Sequence, residues 1–498
     1  MTSDTGSGAS LAHSERLAFV GPKGLLMKHL SLLSKLSYAC GTASFSVKDI
    51  AFTQFALFYY VSVVGLSGKL AGTVLLIAMI WDAISDPIIG SLSDNFRSKW
   101  GRRHPFMALG GAPLAICLFA LFNVPEGLSQ AQIFTWMLVV CLLLRTFLTL
   151  FTVPYLALGA ELSQDYHERS SIAGIRTLLG WLTAIGLAAV AWGAIFTGDG
   201  ITDGRLLREN YYHYGLLSMA IVLVLTTVSI IATAKHIPKL PQASPDAPAF
   251  SFQTLFQDIS EAMRNHNFRN LVWVMLTLGT GTGVFATLGL YMSTYFWELS
   301  TQQIFISTLF TFAPIVLMLF VMNWLNRHVE KHKAIQYCNF LFAINALWLV
   351  SLRLLNILPD NDHPLVFGLI LSQVFVGSAT IIWYQTITSS VIADIGDEQE
   401  YLTHKRNDGM FFAAQGFSLK FVTGIGSFIG GFVLDFIKLP ANAAPGTIPT
   451  EVLFNLGIVM GPLLALFFLV PYFFARRIKL SKERYDEVRV ELEQRAAK

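Results

Sequence analysis

The chain has 498 residues, of which 54% are hydrophobic and only 13% charged, about half the charged share of an average soluble domain. Net charge is +3 and mean hydropathy +0.55. That is too apolar for a soluble enzyme or a disordered chain, and too mildly basic for a nucleic-acid partner. An integral membrane protein remains.

Residues 1–29 form a mostly small and polar N-terminal tail, without the isolated apolar core of a signal peptide. Twelve stretches then reach the length of about 20 mainly apolar residues that a membrane helix needs. In chain order they are 36–64, 69–93, 105–124, 131–161, 170–197, 213–234, 268–297, 302–325, 334–355, 364–393, 407–436 and 451–475, here called spans 1 to 12. Spans 1, 4, 5, 10 and 11 hold polar residues mid-helix, so hydropathy alone is expected to mark them weakly.

Between spans 6 and 7 lies the longest polar interruption, 235–267. Phe252, Leu255, Phe256, Ile259 and Met263 recur in it at helical spacing. This reads as an amphipathic helix on the membrane surface or as an ordinary linker helix. The chain thus divides into a first half (30–234), a linker (235–267), a second half (268–475) and a C-terminal tail (476–498). The expected fold class is an all-α integral membrane protein of twelve transmembrane helices in two six-helix halves, the layout of the major facilitator fold.

Basic residues set the expected orientation. An even number of spans puts both termini on one side, where 26 Lys and Arg fall against five on the other, and four lie within the spans. By the positive-inside rule the side with 26 is cytoplasmic.

Ionisable groups inside spans cost about 2.5–3.5 kcal/mol each at a helix centre, so each asks for a reason. Asp82 and Asp86 in span 2 are four apart and share a helix face. Pro87 cannot donate to the carbonyl of Ala83, which leaves a backbone oxygen beside them. Bare paired carboxylates repel, and a bound cation or proton relieves this. Two readings stand: a Na⁺ or H⁺ coupling site, or acids neutralised by a basic residue of another helix for structure alone. Arg145, Arg176 and Lys420 are the available counter-charges. Lys48 and Asp49 in span 1 point about 100° apart on a helix and are expected to serve different partners. The eleven histidines lie in tails, loops and span ends, and Cys40, Cys117, Cys141 and Cys338 have no metal-ligand spacing. Neither a histidine proton relay nor a metal site is expected. No hydrolase or nucleotide-binding motif occurs, which leaves a membrane enzyme or a non-transporting sensor as weak rivals.

Two stretches are recognisable. Trp81 to Pro105, WDAISDPIIGSLSDNFRSKWGRRHP, resembles the glycoside–pentoside–hexuronide:cation symporter family. Its tail, Gly90, Asp94, Gly101, Arg102 and Arg103, is similar to the superfamily's signature loop between helices two and three. The second stretch runs Ala393-Asp394-Ile395-Gly396-Asp397, then Glu400, Arg406, Gln415 and Lys420, with family spacing and no gaps. The resemblance implies cation ligands at Asp82, Asp86 and the hydroxyl of Thr149. It implies substrate contacts at Arg176, Trp383, Gln415 and Lys420. It also implies a gating ion-pair network of Asp94, Arg102, Arg103, Asp394, Asp397, Glu400 and Arg406. Two sugar-clamping aspartates of the family are replaced here, by Thr152 on span 4 and Ser46 on span 1, and Asp49 lies nearly one turn beyond Ser46.

The expectation is therefore a monomeric, multi-pass carrier of a bacterial inner membrane. It moves a sugar or glycoside with a monovalent cation by alternating access, and has no cofactor beyond the coupling ion. The alternative substrate is an anionic or lysolipid-like amphiphile.

Overall fold

The computed structural model describes residues 30–163, 165–198, 202–240, 251–403, 408–441 and 443–496, and the regular structure among them is helical. Ten helices are long and apolar enough to cross a bilayer, and they are spans 2 to 10 and 12. Of the other two crossings, span 1 is broken by irregular turns and span 11 is one continuous helix. Span 1 runs from Leu32–Ala39 through a 3₁₀ turn, Cys40–Thr42, and then through the α-helix Ala43–Ile50 and the π turns Ala51–Ala56 and Tyr59–Val63. It carries Ser44, Ser46, Lys48 and Asp49 within two turns. Span 11 is the helix Asp408–Phe436. The expected weak hydropathy fails for spans 4, 5 and 10. Spans 4 and 10 reach a mean hydropathy of 2.1 and span 5 reaches 1.9, because their Leu, Val and Phe outweigh a few polar groups.

Twelve crossings bring both chain ends to one side, here the terminal face; the other is the far face. Three far-face connections use the same device. Gly65, Gly127 and Glu298 take left-handed backbone, with φ of 83°, 73° and 50°. Each is followed by Leu-Ser, and that serine stands at the N-cap of span 2, 4 or 8. Ser129 and Ser300 close capping boxes with Gln132 and Gln303.

The two halves are sealed together at the far face. Span 2 packs along span 11 with backbone touching backbone. A Cβ on Gly431 would stand 2.1 Å from the carbonyl oxygen of Gly68, so neither position admits a side chain. The Asp435 carboxylate, at the far end of span 11, caps span 2. It accepts from the Ser67 hydroxyl at 2.6 Å, the Gly68 N–H at 2.7 Å and the Lys69 N–H at 3.0 Å. The Phe58 and Tyr291 rings pack at 5.0 Å, and the Tyr291 hydroxyl donates to the Leu57 carbonyl at 3.2 Å.

On the terminal side the chain forms two further helices, Phe252–Ala262 and Lys482–Ala496. The second docks on the end of span 10, where Tyr485 donates to Asp397 at 3.1 Å and Val488 is buried.

Candidate functional site

A cavity of about 520 Å³ lies within the first half, walled by spans 1, 2, 4 and 5. Asp49, Asp82, Asp86, Thr149, Thr152 and Arg176 all line it. Six side chains singled out in the sequence, from four helices, are therefore gathered at one place.

The carboxylates of span 2 share its wall with one hydroxyl. Thr149 Oγ1 donates to Asp86 Oδ1 at 2.9 Å and stands 3.4 Å from Asp82 Oδ1. Ser85 Oγ lies 3.2 Å from the same hydroxyl. Pro87 sits inside the helix one residue after Asp86. Side-chain oxygens of three residues thus converge halfway along span 2, which suits a hard cation that takes oxygen ligands.

The two readings of the acids divide between them. Asp82 is buried, and Arg145 Nη1 of span 4 stands 3.6 Å from its Oδ2. The Arg145 guanidinium is itself buried and lies over the Phe52 ring at 4.5 Å. Asp82 therefore has its counter-charge, while Asp86 is half-buried on the cavity wall.

The expectation for Lys48 and Asp49 is corrected. They pair with each other, Nζ to Oδ1 at 3.4 Å. The flexible four-carbon stem of lysine bridges the angular offset that would keep a pair of short side chains apart. The Lys48 ammonium is buried over the Phe45 ring at 4.3 Å, whereas the Asp49 carboxylate is half exposed in the cavity.

The second half is not assembled at this cavity. Trp383 is packed in the core of its own half, its indole N–H without a hydrogen-bond partner. Gln415 is half-buried on span 11 and does not line the cavity. The side chain of Lys420 and all of Arg406 lie outside the described residues.

The residues expected to form a gate fall into two separate groups, one per half. In the first, Glu161 accepts from Arg102 at 2.7 Å and from Arg103 at 2.9 Å, and Arg103 also pairs with Asp94. In the second, Lys331 pairs with Asp394 at 2.6 Å and Asp397 holds Tyr485, with Glu400 on the same end of span 10. At the far face the halves are joined through Asp435 and the Gly68–Gly431 contact, so the far gate is closed. Sequence reasoning missed Glu161 and Asp435, which look like ordinary acids at helix ends.

Two halves of membrane-spanning helices, joined at the far face and with a polar cavity in the first, make a secondary membrane carrier and not an enzyme. The chain belongs to the MFS/sugar transport protein family, whose model matches residues 37–482. It is 23% identical to the glucuronide carrier protein homolog of Escherichia coli, covering 94% of this chain and 97% of that one. It is 21% identical to the isoprimeverose transporter of Lactiplantibacillus pentosus over 86% of both chains. A shorter match, 32% identical over 184 residues, covers 36% of this chain and 34% of the mouse sodium-dependent lysophosphatidylcholine symporter 1. The fold is similar to that of the solved nucleoside transporter NupG, with TM-score 0.61 at 15% identity, over 90% of this chain and all of the other.

Proposed function

We propose that this carrier moves a glycoside together with a monovalent cation, Na⁺ or H⁺, and acts as a monomer with both termini in the cytoplasm of a bacterial cell. The observation that carries the coupling is the convergence of Asp82, Asp86 and Thr149 on one wall of the polar cavity. The cation sits against Asp86 and Thr149, with Asp82 held in place by Arg145. Substrate hydroxyls meet Asp49, Thr152 and Arg176 across the same cavity, and Asp49 takes the clamp role that Ser46 cannot. Trp383, Gln415 and Lys420 join from the second half when the halves rock together. The gate on the terminal face then forms from Asp94, Arg102, Arg103, Asp394, Asp397, Glu400 and Arg406. The cytoplasmic placement rests on the 26 basic residues of the terminal side.

A sugar substrate is supported by the family and by the names of two relatives that each match most of the chain. A second reading, a lysolipid-like amphiphile, is favoured by the more identical but shorter stretch shared with the mouse symporter. Counterflow in proteoliposomes separates them, using labelled glucosides, galactosides, xylosides and glucuronides beside a lysophospholipid, with and without Na⁺. Exchange of a glycoside is the expected result. Exchange of the lysophospholipid alone overturns it.

A further inference from the structure

A second cavity lies on the other side of span 1. It measures about 330 Å³ and is lined by spans 1 and 5 of the first half and spans 7, 8, 9, 10 and 12 of the second. Among the described residues, none that lines it is charged. Its walls include Trp192, Phe285 and Trp297, and its polar groups are neutral, among them Gln54, Gln373 and Thr308.

The two cavities are neighbours. Asp49 and Ile50 line the first, and Thr53 and Gln54 line the second. That step is about one helical turn, 5.4 Å. A narrow void of about 30 Å³ adjoins the second cavity, and Thr53 and Ala286 line both. Arg145, the partner of Asp82, also lines the void. The pathway thus has a charged compartment in the first half and a neutral, aromatic one reaching into the second.

We propose that the second cavity is a subsite for a neutral apolar group, so that the substrate is a glycoside bearing an aryl or short alkyl aglycone, not a free sugar. This rests on the glycoside reading above. The sugar's hydroxyls engage Asp49, Thr152 and Arg176, and the aglycone extends past Thr53 to the aromatic walls. An apolar cavity of about 150 Å³ holds one benzene. By that measure 330 Å³ holds two rings, about twelve carbons. The long acyl chain of a lysolipid overfills it.

Gly289 provides the test. It lines the cavity within span 7, and a Cβ built there meets nothing within 4 Å. The first carbon of Gly289→Leu therefore meets open space at the cavity wall, and a helix interior favours the change. Thr308→Leu on span 8 is an independent filler. The measurement is calorimetric affinity of the whole protein in detergent for the methyl, phenyl and 2-naphthyl forms of the glycoside active in counterflow. The expected result is aryl forms bound about ten- to a hundredfold tighter than methyl, from burial of one or two rings. Both fillers should bring the aryl-to-methyl ratio close to one. Equal affinity for methyl and aryl forms, or a ratio unchanged in both fillers, overturns the subsite while leaving the glycoside reading intact. Failure of every glycoside in counterflow removes both.

Discussion

Asp435 is the residue on which the far gate turns. It joins span 11 of the second half to the start of span 2 of the first, accepting three hydrogen bonds at 2.6, 2.7 and 3.0 Å. Asp435→Ala removes all three and the carboxylate's attraction to the helix N-terminus. The Lys69 N–H is exposed and takes water instead, so the loss is below the sum of three buried bonds. A cap of this kind contributes about 1 kcal/mol, and a charge on a helix N-terminus adds up to about another. The far-closed state should lose about 2 kcal/mol, a roughly thirtyfold shift in the gate equilibrium. Ser293 lines the second cavity, beneath this seal. A cysteine placed there reports opening through its reaction with a membrane-impermeant maleimide applied at the far face. The chain without that cysteine corrects for the four native ones. Labelling should accelerate about thirtyfold in Asp435→Ala. An unchanged rate in a variant that folds normally refutes the assignment of Asp435 to the gate.

Other consequences are equally open to measurement. Arg145→Gln removes the guanidinium that pairs with the buried Asp82 and should cost up to about 3–5 kcal/mol, read as a lower unfolding midpoint in detergent. The double variant with Asp82→Asn should recover most of that loss, and no recovery argues against the pairing. Glu298 holds the left-handed backbone that glycine takes at 65 and 127, so Glu298→Gly should stabilise the fold by about 1 kcal/mol. A lower midpoint contradicts this. A single cysteine at Asp362, in the loop between spans 9 and 10, should label from outside sealed right-side-out vesicles, and one at Ser98 should not. The reverse pattern inverts the topology.

Much of this was legible in the primary structure because membrane burial leaves a coarse signal. Ten spans stand out by length and hydropathy alone. Span 1 does not, since a 3₁₀ turn and two π turns break it into short segments. That Asp82 and Asp86 share one cavity wall was readable because acids four residues apart lie on one helix face. Lys48 and Asp49 were misjudged because backbone angle says little about where a long lysine stem ends. Asp435 was invisible because its partners are backbone N–H groups and a serine hundreds of residues away. The neutral cavity escaped notice for a simpler reason: Gly289, Thr308 and Trp297 look like ordinary lipid-embedded residues until the helices are set side by side.

The central claim is that Asp86 with Thr149, steadied by Asp82, couples the cation to transport. Purified protein is reconstituted into liposomes, and accumulation of the counterflow-active glycoside is followed under an imposed Na⁺ or pH gradient. One of these gradients should drive the wild type to concentrate substrate. Asp86→Asn should lose accumulation entirely while still exchanging substrate in counterflow, because Asp49, Thr152 and Arg176 are untouched. An Asp86→Asn carrier that concentrates substrate with unaltered cation dependence would show that the coupling site lies elsewhere.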